Sequence, residues 1–371
     1  MRIGIMTFHK APSCGAQLQA WALKTVLGRM GHSVSFPDCN SMGTFTDRWP
    51  FRPVPRRGLL KTLRGRWKDF LNNLGSIGVF RPAMESYDRF RIERLPETHV
   101  APSDFGSCFD AVVYGSDQVW NPALTRTDAG VFLGEGVAKS VRKVAYAVSV
   151  GDGEPSPEHL ERIRAAAADY ARVSVREGKV AAMISPVRGE ESAVVADPTL
   201  LLTAADYREL ASGRPAAGRY LYYYALYHHG EVYEKVAALA RGLGLKLVYT
   251  PLYQYSRRKM PRGTVYGVSP CDFVSYMAGA ECVVTDSFHG TAFALIHGKP
   301  FVTYSLAPGK SESRPGALLG RLGIPERLMP WFAPSEDMLR LLKTPLPDSA
   351  KTALAAFGAE SRDWLREALE L

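Results

Sequence analysis

The chain is short of the residues that tie small secreted domains together. Its 371 residues include five cysteines, at positions 14, 39, 108, 271 and 282. The count is odd and no two lie two or three residues apart. That argues against a disulfide framework and a cysteine-based metal site, and for a reducing compartment. No apolar run approaches the roughly 18 residues a transmembrane helix needs. The opening MRIGIMTFHKAPSCG turns polar by His9 and has no small-residue cleavage site, so it reads as a first strand, not a secretory signal. A cytoplasmic protein is expected. With 25 Pro and 33 Gly, a fibrous or low-complexity chain is excluded. Acidic residues are also in deficit, 37 against 46 Lys and Arg, for a net charge of +9.

The excess positive charge is concentrated. Arg48 to Arg94 holds 12 Lys or Arg against 4 Asp or Glu. Within it, Leu59, Leu60, Leu63, Trp67, Phe70, Leu71 and Leu74 recur at helical spacing, with Arg56, Arg57, Lys61, Arg64, Arg66 and Lys68 between them. Two readings stand. The segment is a helix packed on its domain with a solvated basic face, or it lies on an anionic membrane surface through residues 56–74. No zinc-finger, RNP or helix-turn-helix signature supports nucleic acid.

The rest of the chain, 46% hydrophobic overall, alternates short Val-rich strands with helices. RIGIMTF, a helix from GAQLQAWALKTVLGRM and SVSF form a βαβ opening. AVVYG, KVAYAVSV, RVSV and AVVA continue it. A second series starts near Arg219 with RYLYYYAL and runs through LKLVY, ECVVTD and PFVTYS. Continuous apolar strands suit a parallel sheet covered on both faces. The expectation is an α/β chain of two Rossmann-like domains facing a cleft, joined near 203–218, with ligands beyond the carboxyl ends of the strands.

The polar motifs fall after those strands. In TDSFHGTAFALIHG, Ser287, His289, Gly290 and Thr291 open a helix. Such a start can hold an anion, and a histidine there can move a proton near neutral pH. Ordinary helix capping is the alternative. Asp117 in GSDQVWNP is a candidate base or a turn residue, and Arg176 in SVREG a two-bond clamp for an anion or a surface ion-pair partner. Asp197 in ADPTLLL is a further acid or a strand-ending turn. The first loop adds His9, Gly15 and Gln17. Cys14, near a helix start, has no base paired with it in sequence.

Taken in order, these stretches resemble the polysaccharide pyruvyl transferase family, from MRIGIMTFHK and GAQLQAWAL through GSDQVWNP, SVRE, DPTLLL and TDSFHGTAFALIHGKPFV to SRPGALLGRLGIPERL. The resemblance implies a GT-B-like architecture. Residues 1–203 form the acceptor-side domain with a basic insertion at 48–94, 217–345 the donor and phosphate side, and 346–371 a C-terminal helix packing back across the boundary. It implies transfer of a pyruvyl group from phosphoenolpyruvate to hydroxyls of a sugar, in a cell-surface polysaccharide or its lipid-linked precursor, commonly closing a cyclic ketal. No cofactor and no metal are implied. Carried over, His289 is the essential histidine, Arg176 the anion-binding arginine, and Asp117 and Asp197 the acids. Some family members carry an arginine shortly before the histidine. Here that stretch reads Asp286-Ser287-Phe288, leaving the charge to Arg314 or Lys310 of the following loop. Two other classes are weighed beside this one: a nucleotide-sugar-dependent glycosyltransferase, and a non-catalytic glycan-binding member of a polysaccharide assembly pathway.

Overall fold

The computed structural model describes residues 1–39, 82–151, 153–188, 192–213, 218–252, 260–306 and 313–370. The basic segment 56–74 and Lys310 lie outside the described residues.

The chain forms two parallel sheets. The first has seven strands: β1 (Arg2–Met6), β2 (Ser33–Pro37), β3 (Glu97–Thr98), β4 (Ala111–Asp117), β5 (Arg142–Val148), β6 (Arg172–Val175) and β7 (Ala193–Val194). Their spatial order is β3-β2-β1-β4-β5-β6-β7. The second contains β8 (Tyr220–Ala225), β9 (Lys246–Pro251), β10 (Cys282–Thr285), β11 (Phe301–Ser305) and β12 (Leu328–Pro330), in the order β12-β11-β10-β8-β9. Strand β4 is buried along its whole length, as are β8 and β10. This is what their unbroken apolar runs require of a sheet covered on both sides.

Strand order reverses between β1 and β4 in one sheet and between β8 and β10 in the other. Crevices open beyond the carboxyl ends of strands at such reversals. Asp117 ends β4, and the run Asp286-Ser287-Phe288-His289 follows β10. The two switch points therefore carry the two strongest motifs.

The described part of the connection between the sheets is packed rather than loose. Tyr207 is fully buried, with its ring against Trp21 at 5.5 Å and Phe293 at 4.8 Å. The last long helix, Asp348–Leu369, follows the second sheet but returns to the first. There Arg142 Nε donates to Ala368 O at 3.1 Å, and the Ser361 hydroxyl accepts the Ala196 N–H at 2.9 Å. That helix thus holds the backbone next to Asp197. No helix among the described residues is long and apolar enough to cross a membrane.

Candidate active site between the two sheets

Three helices bring the site together: α1 (Cys14–Arg29), α2 (Phe288–Ile296) and α3 (Arg314–Arg321). Helix α2 starts where it does because Ser287 caps it, its hydroxyl accepting the Gly290 N–H at 3.4 Å. The Thr285 hydroxyl accepts the Ser287 N–H at 3.0 Å and tightens the turn out of β10. Gly290 is needed for that turn: a Cβ on it would stand 2.2 Å from Thr285 Oγ1. Thr291 is occupied inside the domain, donating to Ser287 O at 3.0 Å and meeting Thr303 at 2.7 Å.

His289 on the second unit faces Asp197 on the first, Nε2 to Oδ2 at 3.8 Å. Nε2 is buried and has no hydrogen-bond partner. Asp197 has a wholly buried side chain. Its Oδ1 accepts the Thr199 N–H and hydroxyl at 2.9 and 2.6 Å, and its Oδ2 pairs with Arg176 Nη2 at 2.5 Å. Burial alone would raise this carboxyl. The Arg176 charge, His289 and Thr199 together outweigh burial and hold it below the usual carboxylate range.

Arg176 is equally enclosed. Its Nη1 lies 3.3 Å from Asp117 Oδ1, and Nη2 also donates to the Ser116 hydroxyl. Burial works against the guanidinium charge, and Asp197, Asp117 and Glu177 together more than restore it. Ser116 in turn donates toward Asp197 Oδ2 at 3.2 Å. Arg314, from the second unit, reaches the same Asp117 Oδ1 with Nη1 at 3.6 Å. Its terminal nitrogens also stand 3.0 and 3.1 Å from the Gln118 amide, which accepts both when its oxygen faces them. Phe288 has both guanidiniums near its ring, Arg176 Cζ at 4.9 Å and Arg314 Cζ at 5.9 Å from the centroid. The site therefore holds two cations, two carboxylates and a histidine contributed by both sheets, with Arg314 at 16% and Asp117 and His289 at 11% its more exposed members.

The structure brings His289, Asp117, Asp197, Arg176, Arg314, Ser287 and Gly15 together. Two loop candidates stay outside the cluster. His9 is fully buried, with Nε2 at 3.0 Å from Glu97 Oε1 and Nδ1 at 3.1 Å from Thr7 O. Gln17 donates its amide to Tyr87 O at 3.2 Å. Two residues apart on a helix face nearly opposite ways, so Gly15 and Gln17 cannot both face His289. The Cys14 thiol, buried against Tyr87 and Val268, is pushed up to about 12 by that burial, so it is no ready nucleophile.

Sequence reading missed Ser116, Glu177 and Phe288. Each is the immediate neighbour of a residue it selected, and direct adjacency was the available signal. Glu177 is buried, which raises its carboxyl. Oε1 accepts the Ser149 hydroxyl at 2.6 Å, and Oε2 has no hydrogen-bond partner. Among the described residues, no group of three or more His, Cys, Asp and Glu side chains is placed to hold a metal ion.

Such a cluster can grip a small dianion and offer it a proton. Comparison with known proteins identifies the family. A family model described as polysaccharide pyruvyl transferase matches residues 14–307. No curated protein matches the chain in sequence. Solved structures match in fold. The UDP-GlcNAc 2-epimerase from Neisseria meningitidis bound to UDP-GlcNAc is 10% identical with a TM-score of 0.50, covering 100% of this chain and 99% of that one. The UDP-GlcNAc 2-epimerase from Methanocaldococcus jannaschii is 11% identical at a TM-score of 0.50, covering 99% of each chain. At these identities the likeness is one of fold: two Rossmann-like domains facing a cleft, the GT-B arrangement. The family match takes in every residue of the cluster except Arg314, and the chain is a transferase of the polysaccharide pyruvyl transferase family.

Proposed function

We propose that the protein transfers the pyruvyl group of phosphoenolpyruvate to a sugar of a cell-surface polysaccharide or its lipid-linked precursor, closing a cyclic ketal across two hydroxyls. The observation that carries this reading is the convergence of Arg176 and Arg314 beside His289. Phosphoenolpyruvate has two anionic groups, a phosphate and a carboxylate, flanking a carbon–carbon double bond. Two guanidiniums suit the anions, and the histidine suits the double bond.

In this reading His289 delivers a proton to the methylene carbon, which becomes a methyl group. The neighbouring carbon gains oxocarbenium character and a sugar hydroxyl adds to it. Asp117 takes that hydroxyl's proton. The carbon–oxygen bond to phosphate then breaks, the second hydroxyl adds to the same carbon, and its proton leaves with the phosphate. Asp197 is a poorer base than Asp117, because it is closed to solvent and already committed to Arg176 and Thr199. Its place is behind His289 and Arg176, as their fixed negative partner.

Attachment of residues 56–74 to an anionic membrane, at its inner face, belongs to the same proposal and rests on the sequence alone. Flotation with anionic and neutral vesicles tests it. Equal absence from both at low salt would contradict it.

The test of the activity is incubation with phosphoenolpyruvate and a panel of oligosaccharides, followed by mass spectrometry and phosphate assay. The expected product gains one pyruvate less one water, with one phosphate released per ketal, and His289→Ala forms it at least about 10²-fold more slowly. Glycosyl transfer from a nucleotide sugar in the parallel incubation, with no pyruvylated product, would replace this reading.

A further inference from the structure

Phe288 is the first residue of α2, next to His289, and is almost fully buried. In its surroundings, Arg176 comes from beyond β6 of the first sheet and Arg314 from α3 of the second unit. Both guanidiniums lie within the roughly 6 Å at which an aromatic face attracts a cation. They also share one carboxylate oxygen, Asp117 Oδ1. The His289 ring meets Phe288 edge-on, at 5.3 Å and 86°.

Two like charges meeting across a cleft repel each other. Arg176 is anchored on Asp197 and Ser116 and Arg314 on the Gln118 amide, each on its own side, and one carboxylate oxygen shared at 3.3 and 3.6 Å links the two. The ring adds a second attraction common to both, and one that does not compete with the donor's anionic groups for their N–H donors. A bulky aliphatic side chain would fill the same space without that attraction. We infer that Phe288 is a positioning residue: its ring, within reach of both Arg176 and Arg314, holds the two guanidiniums from opposite sheets as one clamp for the donor's paired anions. The inference rests on the proposed donor and goes beyond it, since it assigns donor affinity to a side chain with no group that can bind an anion or move a proton.

The experiment measures phosphoenolpyruvate binding by calorimetry in wild type, Phe288→Leu and Phe288→Tyr, and in protein carrying mono-, di- or trifluorinated phenylalanine at 288. Fluorination drains the ring face of negative charge and leaves its size nearly unchanged, so a packing role would not respond to it. Phe288→Leu is expected to weaken binding about threefold to thirtyfold, the usual range for one or two cation–π contacts. Phe288→Tyr should stay within about twofold, and affinity should fall stepwise with each added fluorine. Wild-type binding that is unchanged across the fluorine series overturns the clamp and leaves the donor reading standing. A wild type that binds no phosphoenolpyruvate overturns both.

Discussion

Gly15 of α1 lies so close to the ring of His289 that a Cβ on Gly15 would stand 2.2 Å from Nδ1. The first helix of one unit thus sets the position of the His289 ring on the other. Helix propensity alone would favour alanine at this position by about 1 kcal/mol. The contact reverses that preference, because the imidazole must move to make room. Gly15→Ala is predicted to lower turnover by about 10²-fold, the scale of a 1 Å misplacement. Donor affinity should change much less, and a kcat and KM comparison checks the split.

His289→Ala should lose about 10²–10⁴ in turnover, the usual contribution of a general acid. Circular dichroism and the melting temperature should be close to wild type, since the ring sits at the cleft and not in a core strand. Near-normal turnover would remove His289 from the mechanism.

Arg176 and Asp197 are expected to fail in a different way. Removing one member of a buried ion pair leaves the other charged and unpaired, at a cost of about 3–5 kcal/mol. Arg176→Ala should therefore lower the melting temperature as well as activity, and Arg176→Lys should recover stability better than activity because it cannot reach Asp197 and Asp117 together. Thermal melts beside rate measurements separate the two effects.

Asp286 gives a pH signature with a defined sign. Burial raises its carboxyl to about 6, although its Oδ1 accepts the Leu226 N–H at 2.7 Å. The folded chain therefore holds this proton over a range where the unfolded chain has released it. Its contribution to stability is full below the unfolded value, 3.8, declines as pH rises towards about 6, and is flat above that. Asp286→Asn keeps an oxygen for Leu226 and should remove this slope. Denaturant midpoints for the two proteins should converge near pH 4 and separate by pH 7, with the variant more stable. Parallel curves would contradict the assignment.

Much of this was legible in the sequence, for physical reasons. A strand buried on both faces must be apolar throughout, so RIGIM, AVVYG and YLYYYA read plainly as strands. Strand ends at a sheet's carboxyl edge carry the polar residues, so Asp117, Arg176 and the His289 turn could be picked out one by one. Pairings across the cleft could not. Nothing in the local pattern of α1 says that Gly15 meets His289, or that Asp117 is shared by arginines more than 130 positions apart in the chain. The two-residue strand Glu97–Thr98 is too short to leave a periodicity. His9 is a substrate-binding candidate of the first loop in the sequence. Its ring is instead satisfied by Glu97, which is distant in sequence.

The central claim is that the two arginines and the histidine form a phosphoenolpyruvate site. Calorimetric titration of phosphoenolpyruvate into wild type and Arg314→Gln, with UDP-GlcNAc in parallel, tests it without knowledge of the acceptor. Arg314 suits the test better than Arg176, because it is partly exposed and its loss leaves the buried Asp197 pair intact. The account predicts that wild type binds phosphoenolpyruvate, that Arg314→Gln binds it at least about tenfold more weakly, as loss of a charge-assisted contact implies, and that UDP-GlcNAc does not compete. Binding of UDP-GlcNAc with no phosphoenolpyruvate binding would contradict it.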